Sequence, residues 1–350
     1  MDITCLFHMT SSNRYDAWQS LGADMRRREF ITGLAGAAAL PVALKAQQPV
    51  RPVIGFMSSR SPDDSAHLLR SFHSGLREAG YIEGQNVAIE YRWAHGRYER
   101  LPALAAELAS LPVTAVAAFG GSASARAAKA ATTTIPIVIS IGEDPVEAGF
   151  VKALNRPEGN ITGAMLLTST IGAKRLGLLR DLVPQAGPIG LLVNLTTTSG
   201  QTQKRDVEKA AHDIGQSIVV RDARTVQDLD PVLELFAQDR VVGLTVAADP
   251  FFDTQRDRII QLVAKHRLPA IYQFRDYVVA GGLMSYGASI LETYFQNGVY
   301  IGRILKGAKP ADMPVQLPTK FQLVINMKTV KELGLIIPSG VLAIADEVIE

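Results

Sequence analysis

Between residues 52 and 273 the chain alternates short apolar runs with longer stretches in which apolar residues recur every three or four positions. A short run fits a buried strand and the longer pattern an amphipathic helix, so the alternation predicts parallel sheets covered by helices on both faces. Residues 53–57 read as a strand, and Leu68, Phe72 and Leu76 recur at helical spacing before Gly80 ends that helix. A strand at 87–91 follows, then a helix carrying Leu101, Leu104 and Leu108, a strand at 114–119 and an alanine-rich helix from Ser122. Strands at 135–141 and 161–166 complete one lobe.

The pattern then restarts. A helix bearing Leu176, Leu179 and Val183 leads to a strand at 189–194, and a helix with Val207, Ala211 and Ile214 leads to one at 218–221. Leu229, Val232, Leu233 and Phe236 mark a helix before the strand at 243–247, and Ile259, Leu262 and Val263 mark another before 269–273. This is a second sheet of like topology, although neither half repeats the other residue by residue. Beyond Gly281 the order loosens: a helix over about 291–306, a proline-rich extended stretch at 307–318, a strand at 320–326 and a short helix to Leu333. These pieces are expected to return to lobes already built, so that the chain passes between lobes more than once and forms a hinge.

The N-terminal pattern is of another kind. Arg27-Arg28-Glu29-Phe30-Ile31 opens an apolar run to Leu44 that is too short, and too rich in glycine and alanine, to span a bilayer. Residues 25–46 therefore read as a twin-arginine-type export signal cut near Ala46, and residues 1–24 as a start-site extension ahead of the true initiator, Met25. The expected location is the periplasm. Cys5, the single cysteine, lies in the extension, so the mature chain would form no disulfide and no thiolate metal site. Residues 1–46 hold five basic and four acidic side chains, so their removal takes the net charge from +2 to about +1. A nearly neutral surface is a poor partner for nucleic acid, which rewards a dense basic face.

In sheets of this kind ligands bind beyond the carboxyl ends of the strands. The residues just after the predicted strands are polar: Ser58-Ser59, Gly120-Gly121-Ser122, Gly142-Glu143-Asp144, Asn194, Asp249 and Tyr272-Gln273. Gly121 and Ser122 open a helix whose free N–H groups suit a carboxylate, and Asp249 or Glu143 suits an ammonium group. Phe119, Tyr272 and Tyr286 are candidate apolar walls. Each has a plainer role: Ser122, Asp144 and Asp249 as helix caps, Tyr286 as a packing aromatic. Replacing Asp249 by alanine is expected to weaken an amino-bearing ligand with little effect on thermal stability. Histidines at 8, 67, 73, 95, 212 and 266 show no metal-ligand spacing, and His67 and His73 read as solvated. No nucleophile elbow, phosphate loop or dinucleotide fingerprint is present, so an enzyme is disfavoured and neither metal nor cofactor is expected.

Two ordered strings go further. Ile135-Pro136-Ile137-Val138 leads to Gly142-Glu143-Asp144-Pro145-Val146 and then Leu154-Asn155-Arg156-Pro157-Glu158-Gly159-Asn160-Ile161-Thr162-Gly163; later come Arg303-Ile304-Leu305-Lys306-Gly307 and Leu317-Pro318-Thr319-Lys320-Phe321. From about Val53 onward the chain resembles the ABC-transporter substrate-binding family related to tryptophan and tyrosine uptake proteins. The resemblance implies a periplasmic binding protein fold of the first type, with two Rossmann-like α/β lobes joined by three crossovers. It places one lobe at 52–163 plus about 287–315 and the other at 164–286 plus about 316–350. It implies a monomer that captures a small solute, an aromatic amino acid being one candidate, and hands it to a membrane permease. The family's ligand loops would fall on Ser58, Gly121, Ser122, Asp144, Asn194, Asp249 and Tyr272. Many relatives carry a small residue where Phe119 stands and an uncharged one where Glu143 stands, so Phe119 is expected to fill part of the pocket and Glu143 to alter its charge. Signalling to a membrane receptor, or an α/β hydrolase or racemase using Asp144 or Asp249, are the alternatives.

Overall fold

The computed structural model describes residues 51–183 and 185–350. The predicted extension at 1–24 and export signal at 25–46 lie outside the described residues. Strands β1 (Val53–Ser58), β2 (Ala88–Trp93), β3 (Ala115–Phe119), β4 (Ile137–Ile139) and β5 (Ile161–Gly163) form a five-stranded parallel sheet in the order β2-β1-β3-β4-β5. The central strands β3 and β4 are buried throughout, which is why they read as continuous apolar runs with no alternation. Helices α1 (Pro62–Glu78) and α10 (Ile290–Leu305) pack together on one face, and α2 (Leu101–Ser110) and α3 (Ser122–Ala131) on the other.

The second sheet has seven strands: β6 (Ile189–Val193), β7 (Ile218–Asp222), β8 (Gly243–Val246), β9 (Ala270–Tyr272), β10 (Met284–Ala288), β11 (Phe321–Asn326) and β12 (Glu347–Ile349). Their order is β12-β11-β10-β9-β8-β6-β7. One pairing departs from the predicted parallel pattern, because β11 runs antiparallel to β10. It arrives from the other lobe and so enters the sheet from the opposite end. Helices α4 (Gly172–Leu182) and α5 (Thr198–Asp213) pack together over β6, β8 and β9, while α6 (Val226–Gln238), α8 (Arg256–Lys265) and α9 (Arg275–Val279) pack on the other face. A short helix, α7 (Pro250–Thr254), follows β8.

The chain crosses between the sheets after β5, after β10 and before β11. The first and third crossings run side by side, joined by an isolated bridge between Ala164 and Gln316. Asn297 of α10, fully buried, accepts from the Ala164 N–H at 2.7 Å and donates to its carbonyl at 3.2 Å. A buried peptide outside a sheet must find such partners, and one amide side chain supplies both.

The α1–α10 contact depends on missing side chains. A Cβ on Gly75 would sit 1.9 Å from the Phe295 carbonyl oxygen, and one on Gly298 would sit 2.2 Å from that of Phe72. Both clashes are with backbone, which cannot swing aside. Gly298→Ala is therefore expected to force the two helices apart and to cost about 3 kcal/mol, read as a lower denaturant midpoint. An unchanged midpoint would mean that the helices do not meet as closely as described.

Candidate functional site

Each sheet has one point where consecutive strands send their helices to opposite faces, and the loops there spread apart to leave a crevice. In the first sheet that point lies between β1 and β3, at Ser58 to Arg60 and Gly120 to Ser122. In the second it lies between β6 and β8, at Asn194 to Ser199 and Ala248 to Asp253. The two crevices face each other around one cavity of about 500 Å³.

Local sequence shapes both edges. Gly120 and Gly121 have φ of 76° and 91°, a backbone that other residues adopt at a cost. A Cβ on Gly120 would meet Ser58 and Ser59 Oγ at 2.7 and 2.6 Å, and one on Gly121 would lie 3.0 Å from Pro250 of the other lobe. On the far side, Thr197 caps α5 by accepting from the Gly200 N–H at 3.0 Å. Gln203 of α5 bonds both polar groups of Ala248, at 2.7 and 2.8 Å, and so fixes the end of β8.

Donors on the first lobe meet carboxylates on the second across this gap. Tyr98 donates to Asp249 Oδ1 at 2.5 Å, Arg60 is paired with Asp253, and His67 Nε2 lies 2.9 Å from Asp276 Oδ2. The His67 contact corrects its reading as a solvated residue. Asp253 also accepts from Gln273 and, at 3.2 Å, from the Tyr277 hydroxyl. Burial alone would lower the pKa of the Arg60 guanidinium, but Asp253 beside it holds it above its ordinary value, so this cation stays charged. Burial pushes Asp249 up from an ordinary 3.8 to about 6, against the opposing bonds from Tyr98, the Phe251 N–H and Asn194. The Tyr98 hydroxyl is raised well above its usual range, by burial first and Asp249 second.

Of the fourteen residues singled out by sequence, Gly120, Gly121, Ser122, Gly142, Asn194 and Asp249 line the cavity. The cap of α3 falls on Gly121, so the Ser122 hydroxyl is not taken up as a cap. Asp249 does cap α7, accepting from the Phe251 N–H at 2.9 Å. Its replacement by alanine would therefore remove a cap as well as the bond from Tyr98.

The others lie off the wall. Ser58 is buried beneath Gly120 and accepts from the Arg60 N–H at 3.2 Å. Phe119 does not fill the pocket: it sits in the core against Phe56, Phe72 and Tyr294, with ring centroids 5.4, 5.5 and 5.0 Å away. Tyr272 stacks on Tyr277 at 4.5 Å inside the second lobe, and Tyr286 stacks on Phe321 at 6.0 Å. These three are strand residues, and strand side chains point above or below the sheet, not along it toward the crevice. Asp144 closes its own turn, accepting from Val146 N at 2.7 Å and Glu147 N at 3.1 Å. Glu143 is buried behind the wall, 3.6 Å from Arg126; burial raises its carboxyl pKa against the pull of that guanidinium.

Sequence reading missed Arg60, Tyr98, Arg126, Thr168, Phe274 and Tyr294, all of which line the cavity. It also missed Thr196 to Ser199, although the polar run after Asn194 at the end of a greasy strand was a visible signal. Nothing local marks Tyr98 or Tyr294, which come from a strand-to-helix loop and from α10.

Comparison with known proteins fits this geometry. The family model described as ABC transporter substrate binding protein matches residues 56–349. A protein named tyrosine-binding protein, from Clostridioides difficile (strain R20291), is 25% identical over 266 residues, 76% of this chain and 76% of that protein. The ABC domain in complex with L-Trp from Streptococcus pneumonia is 25% identical, with a TM-score of 0.77 over 85% of this chain and all (100%) of that one. A conserved domain protein from Vibrio cholerae superposes with a TM-score of 0.78 at 24% identity, over 85% of this chain and 99% of its own. The fold is that of the type I periplasmic binding proteins. Because the family match runs through both sheets and every crossing between them, the chain belongs to the ABC transporter substrate binding protein family.

Proposed function

We propose that the chain captures a single aromatic amino acid between its lobes and delivers it to a membrane permease. The observation that carries this reading is the charge balance of the cavity wall: Arg60, Arg126 and Arg224 stand against Glu99, Asp249 and Asp253. A wall of both signs with no net excess suits a zwitterion, and the volume falls within the range of roughly 300 to 1,000 Å³ common for small-molecule sites. The N–H groups at the start of α3, behind Gly121 and Ser122, together with Arg126, would take the carboxylate. Asp249, oriented by Asn194, would take the ammonium group. Tyr98, Phe274 and Tyr294 offer ring faces, and Leu166 and Ile290 apolar edges, for the side chain. The ligands named for the Clostridioides and Streptococcus proteins support the aromatic class.

Closure follows from differential contact. A solute that touches both lobes stabilises the closed arrangement only by what it gains there over the open one. The lobes proposed from sequence, 52–163 with about 287–315 and 164–286 with about 316–350, would turn about the crossings. We read the site as one for binding, not turnover, and the mature protein as a periplasmic monomer freed of residues 25–46.

Isothermal titration with L-tryptophan and L-tyrosine is expected to give saturable one-to-one binding with a Kd of about 1 μM, near −8 kcal/mol. Absence of saturation by both would sink the aromatic assignment. Asp249→Asn keeps an oxygen for the Phe251 N–H and the Tyr98 hydroxyl but removes the charge, so the variant should fold and yet lose affinity for either amino acid. Its stability should also follow pH with a definite sign. The folded pKa of Asp249, about 6, lies above its ordinary 3.8, so burying the ionised carboxylate costs the wild type progressively more as pH rises through that window. The variant should match wild type below about pH 4 and gain up to about 3 kcal/mol over it above pH 6, measured by melting at a series of pH values. A pH-independent difference would place the shift elsewhere. Intact mass of protein released from the periplasm should begin near Gln47; a full-length chain confined to the cytosol would overturn the export reading.

A further inference from the structure

Arg175 of α4 is 1% exposed and is the least expected charge in the second lobe. Among the described residues no carboxylate offsets it: burial alone acts on its guanidinium, whose pKa falls to about 10. Its Nε has no partner among the described residues, while Nη2 donates to the Thr168 carbonyl at 2.8 Å and Nη1 reaches the Tyr286 carbonyl at 3.5 Å. A desolvated cation makes a strong donor, and a buried one without a counter-charge calls for an explanation in what its bonds hold.

What it holds is the first crossing. Leu167 has φ of 50°, a left-handed conformation that is rare for a side chain of this size. Such backbone persists only where its surroundings over-determine it. The first lobe grips one side, since Leu166 N donates to the Ile141 carbonyl and Ser169 N to the Gly142 carbonyl, each at 2.9 Å. The second lobe grips the other through the Arg175 bond and through Ser169 Oγ, 2.9 Å from Ser199 Oγ. Thr168, between these grips, lines the cavity, and its Oγ1 would lie 2.3 Å from a Cβ on Gly142.

We propose that Arg175 is a positioning residue for solute binding, its buried guanidinium holding the crossing in the strained turn at Leu167 that the closed cleft requires. The proposal rests on the reading of the cleft as a solute site. Arg175 does not line the cavity; it acts through Thr168, which does. Strain at Leu167 opposes closure and the Arg175 bond favours it, so altering the two should move the affinity in opposite directions.

The test pairs Arg175→Gln with Leu167→Gly, titrating each with L-tryptophan and L-tyrosine. Lobe separation is followed by double electron–electron resonance between one spin label on each lobe, without and with amino acid. Arg175→Gln is expected to weaken binding at least about ten-fold and to shift the distances toward the open form, as for loss of a charged hydrogen bond. Leu167→Gly, which adopts the left-handed turn freely, is expected to tighten binding about five-fold and to shift the distances toward the closed form. Affinity and separation both unchanged in Leu167→Gly would overturn the proposal, and that variant decides alone if Arg175→Gln does not fold. A lower melting temperature in Arg175→Gln with unaltered affinity would reduce Arg175 to a packing role and overturn it as well. If wild type binds neither amino acid, the assignment of the solute fails, but the ligand-free distances still decide: opposite shifts in the two variants support the positioning role, and equal or absent shifts overturn it.

Discussion

Buried carboxylates of one lobe accepting from donors of the other hold the cleft together. Asp249 and Asp253 stand on the short helix after β8 and receive Tyr98 and Arg60. In water such bonds would contribute little, because each group is equally well served by solvent. Water is largely excluded from the buried Arg60, Asp249 and Asp253, and an acceptor left without its donor would carry the full cost of its lost hydration. The same exclusion raises the pKa of Asp249. A site arranged in this way couples closing to the matching of polar groups, so a solute that brings its own complementary charges is accepted and one that leaves a carboxylate unmatched is penalised.

The architecture makes those meetings possible. Both sheets direct the carboxyl ends of their strands at a shared gap, and the chain passes between them at neighbouring points. Asn297 ties the first crossing to α10, while glycines at the α1–α10 contact bring that helix against the first lobe without a layer of side chains between. One lobe is thus a firm body up to its crossings. The crossing at Leu167 is the exception, with strain and a buried unpaired cation side by side. Rigid lobes with their adjustable parts confined to short connections are what hinge closure demands.

Charge placement separates recognition from support. The arginines and carboxylates on the cavity wall balance in number, while Glu143, a step behind it, is answered by Arg126. A carboxylate in that place tethers a guanidinium that lines the cavity instead of adding negative charge to the wall. Phe119 likewise supports the wall without forming it, since its ring abuts Tyr294, which does line the cavity.

The periodicity of apolar residues was enough to determine two α/β lobes, the strands within them and the loops at their carboxyl ends, because a strand buried on both faces leaves an unbroken apolar run and a helix buried on one face leaves an apolar residue every third or fourth position. Gly121, Ser122, Asn194 and Asp249 were legible for the same reason: each follows a strand, and the fold class says where strand ends go. Tertiary structure alone decided which way each side chain turned, and so sent Phe119 and Tyr272 into the cores, Tyr286 against the edge of one, and Glu143 behind the wall. It alone brought Tyr98 to Asp249 and Arg60 to Asp253, partners 151 and 193 residues apart in the chain. Local patterning reports how much of a residue is buried, not against what. The partner of a buried charge depends on how two separately formed lobes close, and no stretch of either one carries that information.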